Sequence, residues 1–191
     1  HVMFVTGEYP PMTGGVGAYT EELAKALRCL GVQVTVLTAR AAADSNVAAK
    51  CAGVRVLPVV QRWGRGVWAP AADLAAEVRC DWLHVQYQTA AFGMNAAINL
   101  APQRWGRKGF RTAWTYHDLR PPYLFPKAGP LPTWVTLRPA QTADLVVVTN
   151  EEDRAELAGR GLTAAVIPIG SNIRGRRLSA EERAEWRQAA G

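Results

Sequence analysis

The sequence predicts an α/β domain with a mainly parallel sheet, and three observations lead to this fold class. Short apolar runs rich in β-branched residues alternate along the chain with segments whose apolar residues recur at helical spacing. A glycine-rich turn joins the first apolar run to the first helical segment. With 191 residues, of which 49% are hydrophobic, the chain can form one domain with a substantial core, or one half of a larger protein.

The first 31 residues predict a strand, an irregular turn and a helix. Residues 1–6 form an apolar run that is typical of a strand buried on both faces. Two prolines and three glycines between residues 7 and 15 exclude regular structure there. Apolar residues then recur from Val16 to Leu30 at the spacing of one helix face, and Gly31 stands where a helix stop belongs.

Six further strands and five further helices follow. The strands are predicted at 32–38, 54–60, 82–86, 111–116, 145–149 and 164–169. The helices are predicted at 70–79, 92–105, 133–143, 151–161 and from 179 to about 190. Pro70 fits the first turn of its helix, and Ser179 with Glu182 forms a capping box for the last helix. Pro102 and Pro139 each require an end or a kink in the helix that contains them.

Composition limits the classes of function. Cys29, Cys51 and Cys80 are odd in number and widely spaced, which favours reduced thiols in a cytoplasmic protein over a disulfide or zinc framework. The net charge of +6 permits contact with anionic ligands or anionic lipid. No apolar run approaches the roughly 18 residues that a membrane span needs. No leader sequence is evident, and because the chain begins within its first predicted strand, we expect it to be a piece of a longer protein.

Gly14, Gly15 and Gly17 predict an anion site at the start of the first helix. A glycine backbone can approach a ligand closely, and the helix directs its free N–H groups and positive dipole end into the same space. Phosphate or pyrophosphate suits such a site. The alternative is a sharp turn that binds no ligand, because a short glycine motif carries little information by itself.

Other nucleotide and catalytic motifs do not match. A dinucleotide fingerprint needs different glycine spacing and an acidic residue after the second strand, where this chain has Arg40. Arg40 can meet a 2′-phosphate, so an NADP-dependent oxidoreductase stays open, as does a non-catalytic basic interaction domain. Neither a Gly-Lys-Ser/Thr phosphate loop nor a G-x-S-x-G nucleophile motif occurs. His1, His84 and His117 are isolated from one another, so no metal site is expected.

Six stretches, in order, carry a resemblance to a known enzyme family. They are Glu-Tyr-Pro-Pro at 8–11, Gly-Gly-Val-Gly at 14–17, the predicted helix over 20–30, Trp-Thr-Tyr-His-Asp at 114–118, the run 146–151, and Val-Ile-Pro-Ile-Gly-Ser-Asn at 166–172. As an ordered set that covers nearly the whole chain, they resemble the amino-terminal domain of a GT-B fold retaining glycosyltransferase of family 4, also called group 1. The resemblance implies a Rossmann-like three-layer domain, which is the N-terminal half of a GT-B fold.

The resemblance also implies how the whole protein is divided. Residues 1–172 would form the acceptor-side domain, and 173–191 would begin a linker toward a C-terminal domain that binds most of the nucleotide-sugar donor. The enzyme would transfer a sugar to a carbohydrate, lipid-linked or small-molecule acceptor, with retention and without a metal or other cofactor. The fragment alone is expected to be inactive.

Residue roles follow from the resemblance by position. The donor phosphates would meet the backbone of Gly14, Gly15, Val16 and Gly17. His117 would hydrogen-bond the donor sugar, and Asp118 would support His117 or touch a sugar hydroxyl. The remaining residues of the cleft or acceptor site would be Glu8, Tyr87, Asn150, Glu151 and Asn172.

Simpler roles stay open for several of these residues. His117 can be a strand-end histidine satisfied by a neighbouring loop, and Glu8 can cap the glycine-rich turn. Asn150 can be the N-cap of the helix that follows it, and Tyr87 can fill a loop. His84, inside a predicted strand, is expected to be a core histidine.

Two stretches, 61–68 and 104–111, interleave basic and aromatic residues. In some members of the family that this chain resembles, such surfaces dock on anionic membrane, where lipid-linked acceptors reside, and Trp and Arg suit that interface. The protein would then be cytoplasmic and peripheral at the inner face of the membrane. The alternative is a solvated basic face with tryptophans packed beneath it. No nucleic-acid-binding module accompanies the stretches, so nucleic acid is not an expected partner.

Overall fold

The computed structural model describes residues 1–43, 53–119, 131–171 and 178–190, and within them a seven-stranded parallel sheet forms the centre of the molecule. The strands are β1 (Val2–Thr6), β2 (Val34–Ala39), β3 (Arg55–Val60), β4 (Trp82–Tyr87), β5 (Arg111–Tyr116), β6 (Leu145–Val148) and β7 (Ala165–Val166). They lie in the order β3-β2-β1-β4-β5-β6-β7, and each neighbouring pair is parallel. The strand order reverses between β1 and β4, and sheets of this kind open a ligand crevice at such a point.

Helices cover both faces of the sheet. They are α1 (Gly15–Cys29), α2 (Trp68–Glu77), α3 (Ala101–Gly106), α4 (Leu131–Thr142), α5 (Glu151–Ala158) and α6 (Ala180–Ala190). Short 3-10 turns lie at Arg40–Ala42, Arg65–Val67 and Ala96–Leu100. The predicted α/β domain with a parallel sheet is therefore confirmed.

Alternation along the strands divides the core between the two faces. On one face, β1 and β2 pack against α1 through Phe4, Val34, Val36 and Ala24. On the other face, the strands pack against the remaining core helices through Met3, Val5, Leu83, Val85, Trp114, Ala71, Trp105, Leu137 and Leu157. Each large apolar side chain buried in this way contributes about 1.5–3 kcal/mol to folding. The burial of both faces explains why the strands read as continuous apolar runs.

Local chemistry sets several helix boundaries as predicted. Gly31 has a φ of +82°, which favours glycine, and it follows the end of α1. Pro70 lies in the first turn of α2. The capping box of α6 is formed, because Ser179 N donates to Glu182 Oε2 at 2.8 Å and Glu182 N donates to Ser179 Oγ at 3.1 Å.

Two predicted elements are shorter than expected. The helix predicted over 92–105 is a 3-10 turn followed by α3, because Pro102 occupies the first turn of α3, where its missing N–H costs nothing. The strand predicted over 164–169 is limited to Ala165–Val166, since Pro168 has no N–H to extend the ladder. By contrast, Pro139 lies inside α4 without ending it. Among the described residues, no helix is both long enough and apolar enough to span a membrane.

Candidate functional site

Loops that follow parallel strands meet at one edge of the sheet, and here that edge brings His117 to α1. His117 comes directly after β5, and its ring contacts the ring of Tyr19 on α1 edge to face, with centroids 4.8 Å apart. The glycine-rich turn after β1 leads into the same helix. His117 and the start of α1 therefore share one edge and one side of the sheet.

A carboxylate of the chain itself occupies the first turn of α1. The Val16 and Gly17 N–H groups both donate to Glu8 Oε1, at 3.0 and 3.2 Å. These are amides that have no partner within the helix, so Glu8 satisfies them and offsets the positive end of the helix dipole. Glu8 thus caps the turn, and in this structure it holds the amides that the sequence predicts for donor phosphate.

Two of the three glycines leave room for Glu8. A Cβ on Gly14 would lie 2.1 Å from Glu8 Cδ, and a Cβ on Gly17 would lie 3.1 Å from the Glu8 backbone carbonyl. A Cβ on Gly15 would meet nothing within 4 Å. Gly14 and Gly17 are therefore explained by packing against Glu8, whereas Gly15 borders open space.

His117 is a neutral imidazole that is hydrogen-bonded to the end of β4. Its backbone N–H donates to Tyr87 O at 2.9 Å, and its Nε2 lies 2.9 Å from Gln86 Oε1. With the Gln86 amide in this orientation, the carbonyl oxygen can only accept, so Nε2 carries the proton and Nδ1 is left as the acceptor. Burial lowers the pKa of His117 to about 4, so the ring is uncharged at neutral pH.

The sequence interpretation did not assign Gln86 to the site. Gln86 is fully buried, and its Nε2 has no hydrogen-bond partner in the described part of the chain. His84 lies two residues earlier on the same face of β4, with Nε2 at 2.8 Å from Thr115 Oγ1, as expected of a core histidine. Burial, and then the nearness of His117, lowers the pKa of His84 to about 4. The sequence signal that could have identified Gln86 is a polar amide at the carboxyl end of a largely apolar strand, where ligands bind in sheets of this kind.

Tyr87, contrary to expectation, does not line the cleft. Its side chain is 1% exposed and packs in the core against Trp114, with ring centroids 4.9 Å apart. Its hydroxyl accepts from Asn99 Nδ2 at 3.1 Å. Because β4 extends through residue 87, the alternation of the strand turns Tyr87 to the face opposite α1.

The other predicted residues lie after β5 and β6. Asp118 is exposed, and its charge adds to burial in raising the pKa of Asp153 in the first turn of α5. Asn150 is the N-cap of α5, because its Oδ1 accepts from Asp153 N at 2.7 Å. Glu151 is exposed and forms an ion pair one turn along the same helix. Asn172 lies outside the described residues, as does the predicted boundary between 172 and 173.

Arg40, on which the NADP alternative depended, follows β2 and is exposed. Over the described ranges, no three His, Cys, Asp or Glu side chains are grouped in a way that could hold a metal ion. The edge around His117 and α1 thus brings together the amides at the start of α1, which Glu8 holds, and the His117 imidazole.

Comparisons with known proteins extend this description. A family model for Glycosyltransferase Family 4 matches residues 13–173. Anabaena Alr3699/HepE in complex with UDP and glucose has a TM-score of 0.63 and 16% identity, over 100% of this chain and 50% of that one. The same protein in complex with UDP has a TM-score of 0.67 and 16% identity, over 99% and 49%. A UGT transferase from Siraitia grosvenorii in complex with UDP has a TM-score of 0.55 and 12% identity, over 96% and 53%.

These matches establish the fold and the family. No significant match was found among curated protein sequences. The chain spans about half the length of the solved structures that it matches, and its fold is the N-terminal half of a GT-B fold. At such low sequence identity the likeness to those structures shows the fold alone. The family model covers most of the chain, and the chain therefore belongs to Glycosyltransferase Family 4.

Proposed function

We propose that this chain is the acceptor-side domain of a retaining, metal-independent glycosyltransferase that uses a nucleotide diphosphate sugar. The observation that carries the proposal is the contact between the rings of His117 and Tyr19, which brings the imidazole to the amide end of α1. Family membership supports the same reaction class. A UDP-sugar is the first donor to test, because the HepE and UGT structures contain UDP.

The start of α1 would stabilise the departing diphosphate. Sugar transfer builds negative charge on the leaving group, and oriented N–H groups at a helix start stabilise such charge. Glu8 holds the N–H groups of Val16 and Gly17, so a donor phosphate reaches them only when the Glu8 side chain rotates aside. Open space beside Gly15 gives the phosphate a route of approach.

His117 would position the donor sugar rather than transfer a proton to the leaving group. Its Nδ1 accepts a hydrogen bond when Nε2 donates to Gln86, so a sugar hydroxyl is a suitable partner. The lowered pKa of His117, about 4, keeps the ring neutral at physiological pH. Asp118, the exposed residue that follows it in sequence, would bind a second sugar hydroxyl.

The rest of the enzyme would complete the donor site. Because the chain spans about half of the solved structures that it matches, residues 173–191 would lead toward a C-terminal domain. The acceptor-side domain alone would then not turn over substrate. The acceptor would be a carbohydrate, a lipid-linked sugar or a small molecule. The protein would act in the cytoplasm, peripheral at the inner face of the membrane if its acceptor is lipid-linked.

The test uses the full-length protein and a panel of UDP-, GDP-, ADP- and TDP-sugars, with release of the nucleoside diphosphate as the readout. At least one donor should be consumed, and His117→Ala should reduce turnover by about tenfold, the effect of losing one positioning hydrogen bond worth about 1.4 kcal/mol. NADPH oxidation is measured in parallel. Folded protein that consumes no donor, or a His117→Ala variant with unchanged turnover, contradicts the proposal.

A further inference from the structure

The two basic and aromatic stretches, distant in sequence, converge on one groove between α2 and α3. The groove has a volume of about 330 Å³. Its main lining side chains are Arg65, Trp68, Arg104, Trp105, Arg107 and Lys108. The helices that form it pack on the sheet face opposite α1, the helix that the His117 ring contacts. The groove is therefore separate from the proposed donor site.

Two indoles fix the floor of this groove. Trp105 is 1% exposed, and its Nε1 donates to Trp68 O at 2.9 Å. The Trp68 Nε1 in turn donates to Ala97 O at 3.2 Å. The Arg104 guanidinium lies 5.5 Å from the centroid of the Trp68 ring, within cation–π range. The tryptophans are thus packed beneath the basic residues, which leaves a rigid floor with charged groups above it.

The rim of the groove carries more positively charged side chains than the acidic side chains around it can neutralise. Arg65, Arg104, Arg107 and Lys108 are all exposed. Along the described ranges, Lys108 alone among these four has an ion pair, with Asp73 at 3.5 Å. Like charges closer than the Debye length, about 8 Å at physiological ionic strength, repel one another. An anion bound in the groove would relieve that repulsion.

We propose that the groove between α2 and α3 binds a phosphate group. Guanidinium groups present paired N–H donors that match phosphate oxygens, which favours phosphate over smaller anions. The volume is near the lower end for small-molecule sites, about 300 Å³, so it accommodates one phosphate with a small attached group. A nucleic acid backbone would need an extended basic stripe instead. The phosphate belongs either to a lipid headgroup or to a soluble ester, since both present the same chemistry.

The experiment compares two double variants of the full-length protein with equal loss of charge. Arg65→Ala/Arg107→Ala removes two cations from the groove and spares Arg104, which stacks on the floor. Arg55→Ala/Arg160→Ala removes two exposed arginines elsewhere and serves as the control. Thermal unfolding verifies that each variant is folded. Binding of inorganic phosphate and glycerol 3-phosphate is followed by ³¹P NMR, and binding to vesicles by cosedimentation.

The groove variant should bind the phosphate probes about tenfold more weakly than the wild type, as expected for a lost charge-assisted hydrogen bond, while the control keeps its affinity. If the control variant cosediments with vesicles of 30% phosphatidylglycerol in phosphatidylcholine and the groove variant does not, the phosphate group belongs to a lipid headgroup. If the two variants sediment alike and only the soluble probes discriminate between them, the source is a soluble ester. Equal binding of every probe by both variants, or no binding by the wild type, overturns the proposal.

Discussion

Replacing Gly14 with alanine is expected to detach Glu8 from the start of α1. The new Cβ would lie 2.1 Å from Glu8 Cδ and Oε1 and 2.2 Å from Oε2, far inside the contact distance of nonbonded atoms. The Glu8 side chain is flexible, whereas the backbone of α1 is held by its own hydrogen bonds, so the carboxylate moves. The N–H groups of Val16 and Gly17 then lose their acceptor.

The expected cost is about 1–2 kcal/mol of the free energy of unfolding. Loss of a side chain that caps the start of a helix costs about 0.5–2 kcal/mol. Glu8 is only half-buried, so water can reach the freed amides, and the cost stays below that of a fully buried unpaired donor. For a protein of this size, each kcal/mol lowers the unfolding temperature by about 2–4 °C.

Gly15→Ala is the matched control, because its Cβ meets nothing within 4 Å. Alanine has the higher helix propensity, so this variant should be neutral or slightly more stable. Glu8→Ala removes the same carboxylate that Gly14→Ala displaces, so the two effects should not add in the double variant. Urea denaturation followed by tryptophan fluorescence compares these four variants with the wild type. Equal stability of Gly14→Ala and Gly15→Ala, or full additivity with Glu8→Ala, would refute the capping role of Glu8.

Other variants test the polar residues at the same edge of the sheet. Burial lowers the pKa values of His84 and His117 to about 4, whereas an unfolded histidine titrates near 6.5, so the unfolded state binds more protons between these values. Stability should therefore fall as the pH drops from about 6.5 to 4, and His117→Asn should flatten this dependence in urea titrations. Gln86→Met removes an Nε2 that lacks a partner but also removes the Oε1 acceptor of His117 Nε2, so it should cost about 1–3 kcal/mol of stability in urea titrations. It should also lower turnover, because the His117 tautomer is no longer fixed, which ¹⁵N NMR of the ring reports. Asn150→Ala should cost about 1 kcal/mol in thermal unfolding through the lost N-cap of α5, and an unchanged unfolding temperature would contradict that role.

The fold follows from the sequence wherever chemistry within a few residues decides the structure. Gly31 marks a helix end because it supplies a positive φ, and Ser179 with Glu182 starts α6 by satisfying its free amides. The helix predicted over 92–105 is shorter than expected and divided at Pro102, because a proline can either break a helix or begin one, and the apolar spacing around Pro102 fits both. Packing between segments, which local pattern does not describe, decides between them.

The site is less predictable because its contacts join residues from different loops. The glycine motif indicated a phosphate cradle, but Gly14 also has to clear a carboxylate six residues earlier, and no spacing rule describes that contact. The predicted fourth strand ends at residue 86, which puts Tyr87 in the following loop, where it can line the acceptor site or fill the loop. One more residue of strand turns Tyr87 into the core and leaves Gln86 beside His117.

The central claim is that the start of α1 and the His117 ring act on one donor molecule. The most direct measurement is an NMR titration of the full-length protein with a UDP-sugar that it consumes, observing the Gly15 amide and the labelled His117 ring together. Both signals should shift along one binding curve with a single dissociation constant. If the donor is consumed while the His117 ring or the Gly15 amide stays unshifted at saturation, the two groups do not form one donor site.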